Sequence, residues 1–97
     1  MPSEIVWLPS AARDVARLRE FIQNKNPTAA IRAASRIKEA TKILADNPEA
    51  GKPVEDLFPF RELFVPFGNG NYVIRYREDG IRAIIIKVKH SREDDFS

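Results

Sequence analysis

The side chains able to do acid–base or phosphate chemistry in this sequence are few. His90 is the only histidine, and its ring titrates near neutrality, so it can give or take a proton at physiological pH. Arg61, Arg75, Lys87 and Lys89 supply cations, with Glu55 as a carboxylate. Cleavage of RNA through its 2′-hydroxyl needs groups of these kinds: a base for the hydroxyl proton, a cation for the phosphorane charge and an acid for the leaving oxygen. A plainer reading stands beside this one. Arginine and lysine on the open face of an antiparallel sheet are commonly just solvated. A lone histidine at the end of a strand more often bonds a backbone carbonyl than catalyses, because one histidine without a matching charge set does not make a site.

Other chemistries are excluded. The chain has no cysteine, which rules out disulfides and thiolate metal sites. It carries no Walker loop, dinucleotide fingerprint, metal-ligand cluster or Ser/His/Asp set. No metal and no cofactor are expected.

These residues must be positioned by a small fold. The 97 residues make one domain, 1–97, and 43% apolar with 31% charged residues describes a globular chain rather than a disordered one. A net charge of +2 does not by itself demand nucleic acid; where the charges sit matters more. No apolar run approaches the ~18 residues that span a bilayer, and the start Met1-Pro2-Ser3-Glu4 does not read as a signal peptide. A cytoplasmic protein with no membrane contact is the expectation.

The run 4–8, short, β-branched and aromatic, reads as a strand stopped by Pro9. Ser10 then caps a helix over 11–24, with Ala11, Val15, Leu18 and Ile22 on its apolar stripe and Phe21 flanking. Asn26 followed by Pro27 restarts a helix over 27–46, whose stripe is Ala30, Ala33, Ile37, Ala40 with Thr41, and Leu44. Two helices so closely linked pack as an antiparallel hairpin. Arg13, Arg17, Arg32, Arg36, Lys38 and Lys42 bias its surface positive, partly offset by Asp14, Glu20, Glu39 and Asp46. Pro48 ends the helical region and Gly51 suits a turn. The stretch 52–59 is expected to be an ordered loop with Val54, Leu57 and Phe58 tucked inward.

Three strands follow, over 61–67, 72–77 and 81–89. Pro66 lacks an N–H and so marks an edge position or a bulge. The order β-α-α-β-β-β predicts an α+β domain, an antiparallel sheet with the helical hairpin packed on one face. Alternation places Val73, Arg75 and Arg77 on one face of their strand, and Ile85, Lys87 and Lys89 together on theirs. If those faces coincide, the sheet carries a cationic patch away from the helices, able to hold phosphate or to receive acidic side chains. Tyr72 and Tyr76 share a face with Ile74 and read as packing. Trp7 is either a platform for a target or part of the core.

At this level the chain resembles the RelE/ParE superfamily of toxins. The segments Arg61-Glu62-Leu63-Phe64-Val65-Pro66-Phe67-Gly68, Tyr72-Val73-Ile74-Arg75-Tyr76-Arg77 and Ile86-Lys87-Val88-Lys89-His90-Ser91-Arg92-Glu93 are similar to that family. So are Val6-Trp7 before Ala11-Ala12-Arg13-Asp14-Val15, and the loop Asn47-Pro48-Glu49-Ala50-Gly51. The resemblance implies a type II toxin neutralised by a cognate antitoxin in a hetero-oligomer, with operator DNA bound only through the antitoxin.

The superfamily divides into RelE-like members, which cut messenger RNA on the ribosome, and ParE-like members, which poison DNA gyrase without being nucleases. RelE-like members place an arginine about three residues before the tyrosine matching Tyr76, where this chain has Val73. That departure favours the ParE branch, with gyrase as target and no catalytic residues. Phe64, Val73, Arg75, Arg77, Ile85, Lys87 and Lys89 are then the expected antitoxin contacts, with Phe64, Val73 and Ile85 exposed in the lone chain. Trp7, His90, Arg92 and Phe96 are the expected target contacts. The alternatives are a nuclease using Arg61, Arg75, Lys87, Lys89 and His90, and an inactive toxin-fold binding partner.

Overall fold

The computed structural model describes residues 4–68 and 70–91. β1 (Glu4–Trp7) leads into α1 (Pro9–Gln23) and α2 (Pro27–Asp46). Then come β2 (Lys52–Pro53), β3 (Phe60–Phe67), β4 (Gly70–Glu78) and β5 (Arg82–His90). The strands form one sheet in the order β1-β5-β4-β3-β2, and the two helices cover one face of it. The α+β class is as the element order predicts. The two-residue β2, read from sequence as loop, is an addition.

One pairing departs from the antiparallel expectation. β1 joins β5 in parallel, with Glu4 opposite Arg82 and Trp7 opposite Ile85. β3, β4 and β5 form an antiparallel meander through short turns, as local pairing dictates. β1 reaches the sheet from the far side of both helices, so no hairpin constrains its direction.

The helix starts differ in how they are made. Asn26 caps α2 as expected, its Oδ1 accepting the Ala29 N–H at 3.1 Å, with Pro27 in the first turn. Ser10 does not cap α1. Leu8 is the N-cap residue, without a side-chain bond, and Pro9 occupies the first turn, where its missing N–H costs nothing. The Ser10 hydroxyl instead donates to the Ile86 carbonyl at 2.7 Å.

The core lies between helices and sheet. Tyr72, Ile74, Tyr76, Ile85 and Val88 meet Ala11, Leu18, Ala33, Ile37 and Leu44. The alanines let the helices approach closely, and each fully buried isoleucine or leucine contributes about 1.5–3 kcal/mol. Trp7, Val15, Ile22 and Phe67 pack around the margin.

The sheet holds one irregularity with large consequences. Arg75 pairs with Lys87, but Tyr76 pairs with Ile85, so Ile86 is an extra residue in β5. Such a bulge resets the alternation of side chains. Ile85 therefore faces the helices with Tyr76, while Lys87 and Lys89 face away with Arg75 and Val73. This corrects the expectation that Ile85 shares their face and is exposed; it is 0% exposed. Val73 does lie on the outer face but is only 4% exposed, because β4 is central and Phe64 and Lys89 stand directly opposite it in the neighbouring strands. Of the three apolar residues expected to be exposed, Phe64 alone is, at 49%.

The loop before β3 also differs. Val54 is half-buried, but Leu57 and Phe58 point outward, Phe58 with 95% of its surface exposed. The short β2 pairing, Lys52 with Glu62 and Pro53 with Arg61, carries the following residues past the end of the core rather than under it.

Candidate functional site

The outer face of the sheet gathers Arg75, Arg77, Lys87 and Lys89, as alternation predicted for them. Register places Arg75 beside Glu62 of β3 and Lys87 of β5, and Arg77 beside Phe60 and Ile84. All four cations are half-buried, their aliphatic stems lying along the sheet. Arg75 and Lys87 are tied to carboxylates. The Arg75 guanidinium donates through Nε at 3.2 Å and Nη2 at 2.9 Å to one oxygen of Glu62. Lys87 Nζ lies 4.0 Å from Asp14 Oδ2, reaching around the sheet edge to α1. The face is thus a cationic surface with one exposed aromatic, Phe64, at its border.

By its sequence context Asp14 is expected to be a surface charge. The structure buries it. Its Oδ2 accepts the Val88 N–H at 2.9 Å, and its Oδ1 lies 3.7 Å from Arg17. The reason lies at the sheet edge. β1 ends opposite Ile85, so the backbone of β5 beyond it would be open. The Leu8 N–H continues the ladder to the Ile85 carbonyl at 3.0 Å. Ser10 and Asp14, one helical turn apart, then take the Ile86 carbonyl and the Val88 N–H. A signal was present: Asp14 lies three residues after Ala11 and four before Leu18, on the buried stripe of α1.

The remaining candidates stand on the other side of the sheet. His90 is opposite Tyr72 and faces the helix side, its ring edge-on to that of Tyr72 at 5.3 Å between centroids. Phe67 packs against Tyr72 at 5.5 Å, which makes an aromatic row at this end.

Arg61 stands at the opposite end, paired with Tyr76. The two positions are four residues apart along β4, about 13 Å in an extended strand. Arg61 Nη1 donates to the Gly51 carbonyl at 2.8 Å and to that of Glu49 at 3.4 Å. The Tyr76 hydroxyl donates to the Pro48 carbonyl at 2.7 Å and accepts the Gly51 N–H at 2.8 Å. Burial pushes the Tyr76 phenol above its usual range, a shift only partly offset by the Gly51 N–H. Gly51 is required for this approach, since a Cβ there would lie 2.5 Å from the tyrosine ring. Glu55 sits on the exposed loop.

The candidate nuclease groups named from the sequence are thus divided between the two faces of the sheet. Arg75, Lys87 and Lys89 are outward; Arg61 and His90 are inward and at opposite ends. Trp7 is half-buried against the core. Arg92 and Phe96 lie outside the described residues. Among the described residues no group of three or more histidine, aspartate or glutamate side chains is placed to hold a metal ion. No helix among them is long and apolar enough to cross a membrane.

Comparison with known proteins agrees with this architecture. The family model described as the ParE toxin of the type II toxin–antitoxin system parDE matches residues 5–95. Toxin RelE3 of Caulobacter vibrioides is 35% identical over 85 residues, covering 88% of this chain and 90% of its own. Toxin RelE2 of the same organism is 36% identical over 90 residues, covering 92% and 96%. Among solved structures, a chromosomal ParDE system from P. aeruginosa superposes with a TM-score of 0.78 at 23% identity, covering 91% of this chain and 95% of that one. The RelBE2 toxin–antitoxin complex from Mycobacterium tuberculosis gives 0.60 at 21%, covering 93% and 99%. At these identities the two structures establish the fold alone.

Proposed function

This chain belongs to the ParE toxin family of type II toxin–antitoxin systems, and from that premise we propose that it poisons DNA gyrase and is held inactive by a cognate antitoxin. The observation that carries the reading against a nuclease is the division of its titratable groups. Arg75 and Lys87 face away from the helices and are paired with Glu62 and Asp14. His90 stands across the sheet from them. A general acid, a base and a phosphorane-stabilising cation have to meet within about 3 Å of one reacting phosphate, whereas the register sets Arg75 and His90 on opposite faces of the sheet.

The outer face supports the antitoxin part. Arg75, Arg77, Lys87 and Lys89 beside Phe64 form a surface complementary to an acidic segment with an apolar anchor. Val73 lies beneath Phe64 and Lys89 on that face, and Ile85, turned to the helices, is not part of it. The toxin acts in the cytoplasm, and operator DNA is engaged only through the antitoxin.

The names of the Caulobacter relatives favour a second reading, a RelE-type nuclease that cuts message on the ribosome. One comparison separates them. Purified protein is added to a gyrase supercoiling assay and to a translation extract. Inhibited supercoiling or trapped cleaved DNA, with message intact, supports the gyrase reading. Cleaved ribosome-bound message with supercoiling untouched overturns it.

A further inference from the structure

The loop over 54–60 carries the most exposed large apolar side chain among the described residues. Phe58 at its tip is 95% exposed and Leu57 beside it 44%. Glu55 and Asp56, both exposed, precede them. The loop is nonetheless tightly built. The Val54 N–H bonds the Phe60 carbonyl at 3.0 Å, the Leu57 N–H the Val54 carbonyl at 3.1 Å, and the Phe60 N–H the Leu57 carbonyl at 2.7 Å. Its base is held by the β2–β3 pairing and by Arg61 on the Gly51 carbonyl. A hollow of about 500 Å³, lined by Pro53, Val54, Asp56, Phe58, Pro59, Phe60 and Arg61, lies beside the tip.

An ordered turn that presents a phenyl ring to water has already met the entropic cost of binding, which is the condition under which an aromatic side chain becomes an interface anchor. The sign of the neighbouring charge indicates the partner. The outer sheet face is cationic and suits an acidic antitoxin; this tip is acidic and would repel one. An apolar pocket with a lysine and arginine rim is complementary to Phe58 flanked by Glu55 and Asp56. Proteins that handle DNA carry such basic surfaces for phosphate.

We propose that the loop over 54–60 is the target-contacting knob of the toxin: Phe58 enters an apolar pocket on a DNA-handling protein, and Glu55 and Asp56 pair with that pocket's basic rim. The proposal rests on the reading of this chain as a toxin with a protein target, and it places the target contact apart from the antitoxin face.

The test compares the full chain with Phe58→Ala and Glu55→Lys. The readouts are gyrase supercoiling, growth arrest on induction without antitoxin, antitoxin affinity by calorimetry, and the urea unfolding midpoint. Phe58→Ala is expected to lose at least tenfold in inhibitory potency, and Glu55→Lys several-fold, more at low salt. Antitoxin affinity stays within twofold and the midpoint is unchanged, because neither side chain packs on the core. If wild-type protein leaves gyrase untouched, the gyrase reading fails alone. The knob is then judged on growth arrest, which Phe58→Ala must abolish. Phe58→Ala as potent as wild type overturns the proposal. So does a tenfold loss of antitoxin affinity in that variant, which would assign the loop to the antitoxin, or a wild-type chain with no toxicity at all.

Discussion

Asp14 on the first helix accepts the backbone N–H of Val88 on the last strand at 2.9 Å, joining positions 74 residues apart. A carboxylate does here what a neighbouring strand would otherwise do. β1 is too short to pair with β5 beyond Ile85, and α1 closes the edge with Ser10 and Asp14. The same carboxylate draws Lys87 toward the edge, so the packing of the helix and the charge layout of the outer face are coupled through one residue.

Removing that acceptor leaves the Val88 N–H buried without a partner. Asp14→Ala should lower stability by about 1.5–3 kcal/mol, the range for a bond to a charged group. Asp14→Asn keeps an acceptor oxygen and should lose roughly half as much. Urea unfolding monitored by far-UV circular dichroism measures both. A midpoint for Asp14→Ala indistinguishable from wild type would show that the bond contributes nothing.

Tyr76→Phe should cost about 1–3 kcal/mol, since it leaves the Gly51 N–H and the Pro48 carbonyl without their shared partner. The difference should also depend on pH. The folded-state pKa of Tyr76 is raised above its usual 10.0 by burial. The unfolded chain therefore releases this proton first, and the folded state binds more protons between the two pKa values. The tyrosine's contribution is complete below pH 10 and lost as pH rises through the folded value. The gap between wild type and Tyr76→Phe should narrow steadily above pH 10. A constant gap up to pH 11.5 would contradict this account.

Growth arrest should survive the double substitution Arg75→Ala with His90→Ala. The two side chains stand on opposite faces of the sheet, and with the target contact on the loop over 54–60 neither is needed in the gyrase reading. Induction from a tight promoter, scored by colony formation, makes the comparison. Complete loss of toxicity in a double mutant that still folds would favour the nuclease.

Arg77→Glu combined with Lys87→Glu should weaken antitoxin binding by at least tenfold and flatten its salt dependence. Two cations on the complementary face become like charges to an acidic partner. Titration calorimetry at two ionic strengths reads both quantities. Affinity unchanged at low salt would place the antitoxin elsewhere on the molecule.

The helices were legible because their information is local. Apolar residues at helical spacing named the buried stripe of α2 residue by residue, and the Asn26-Pro27 pair located its start. The meander was legible for the same reason: strands joined by short turns pair with their neighbours. The family resemblance also came from sequence, through motifs whose order along the chain is specific although each one is weak.

The errors share a different cause. Simple alternation puts Ile85 on the wrong face because a single extra residue at Ile86 resets it, and only the register against β4 shows this. Val73 carries the outward parity that alternation gives it, yet burial on a central strand depends on what stands opposite. Asp14 lay on the buried stripe in plain view, but a carboxylate is buried only where an unpaired donor awaits it, and that donor is on β5. Leu57 and Phe58 are apolar, and composition alone turns such residues inward; the β2–β3 pairing carries them past the end of the core. Periodicity and capping thus determined which elements form and which helix faces are buried. The tertiary structure alone decided the direction of β1, the face of Ile85, the burial of Asp14 and the exposure of Phe58, because each depends on a partner remote in the chain.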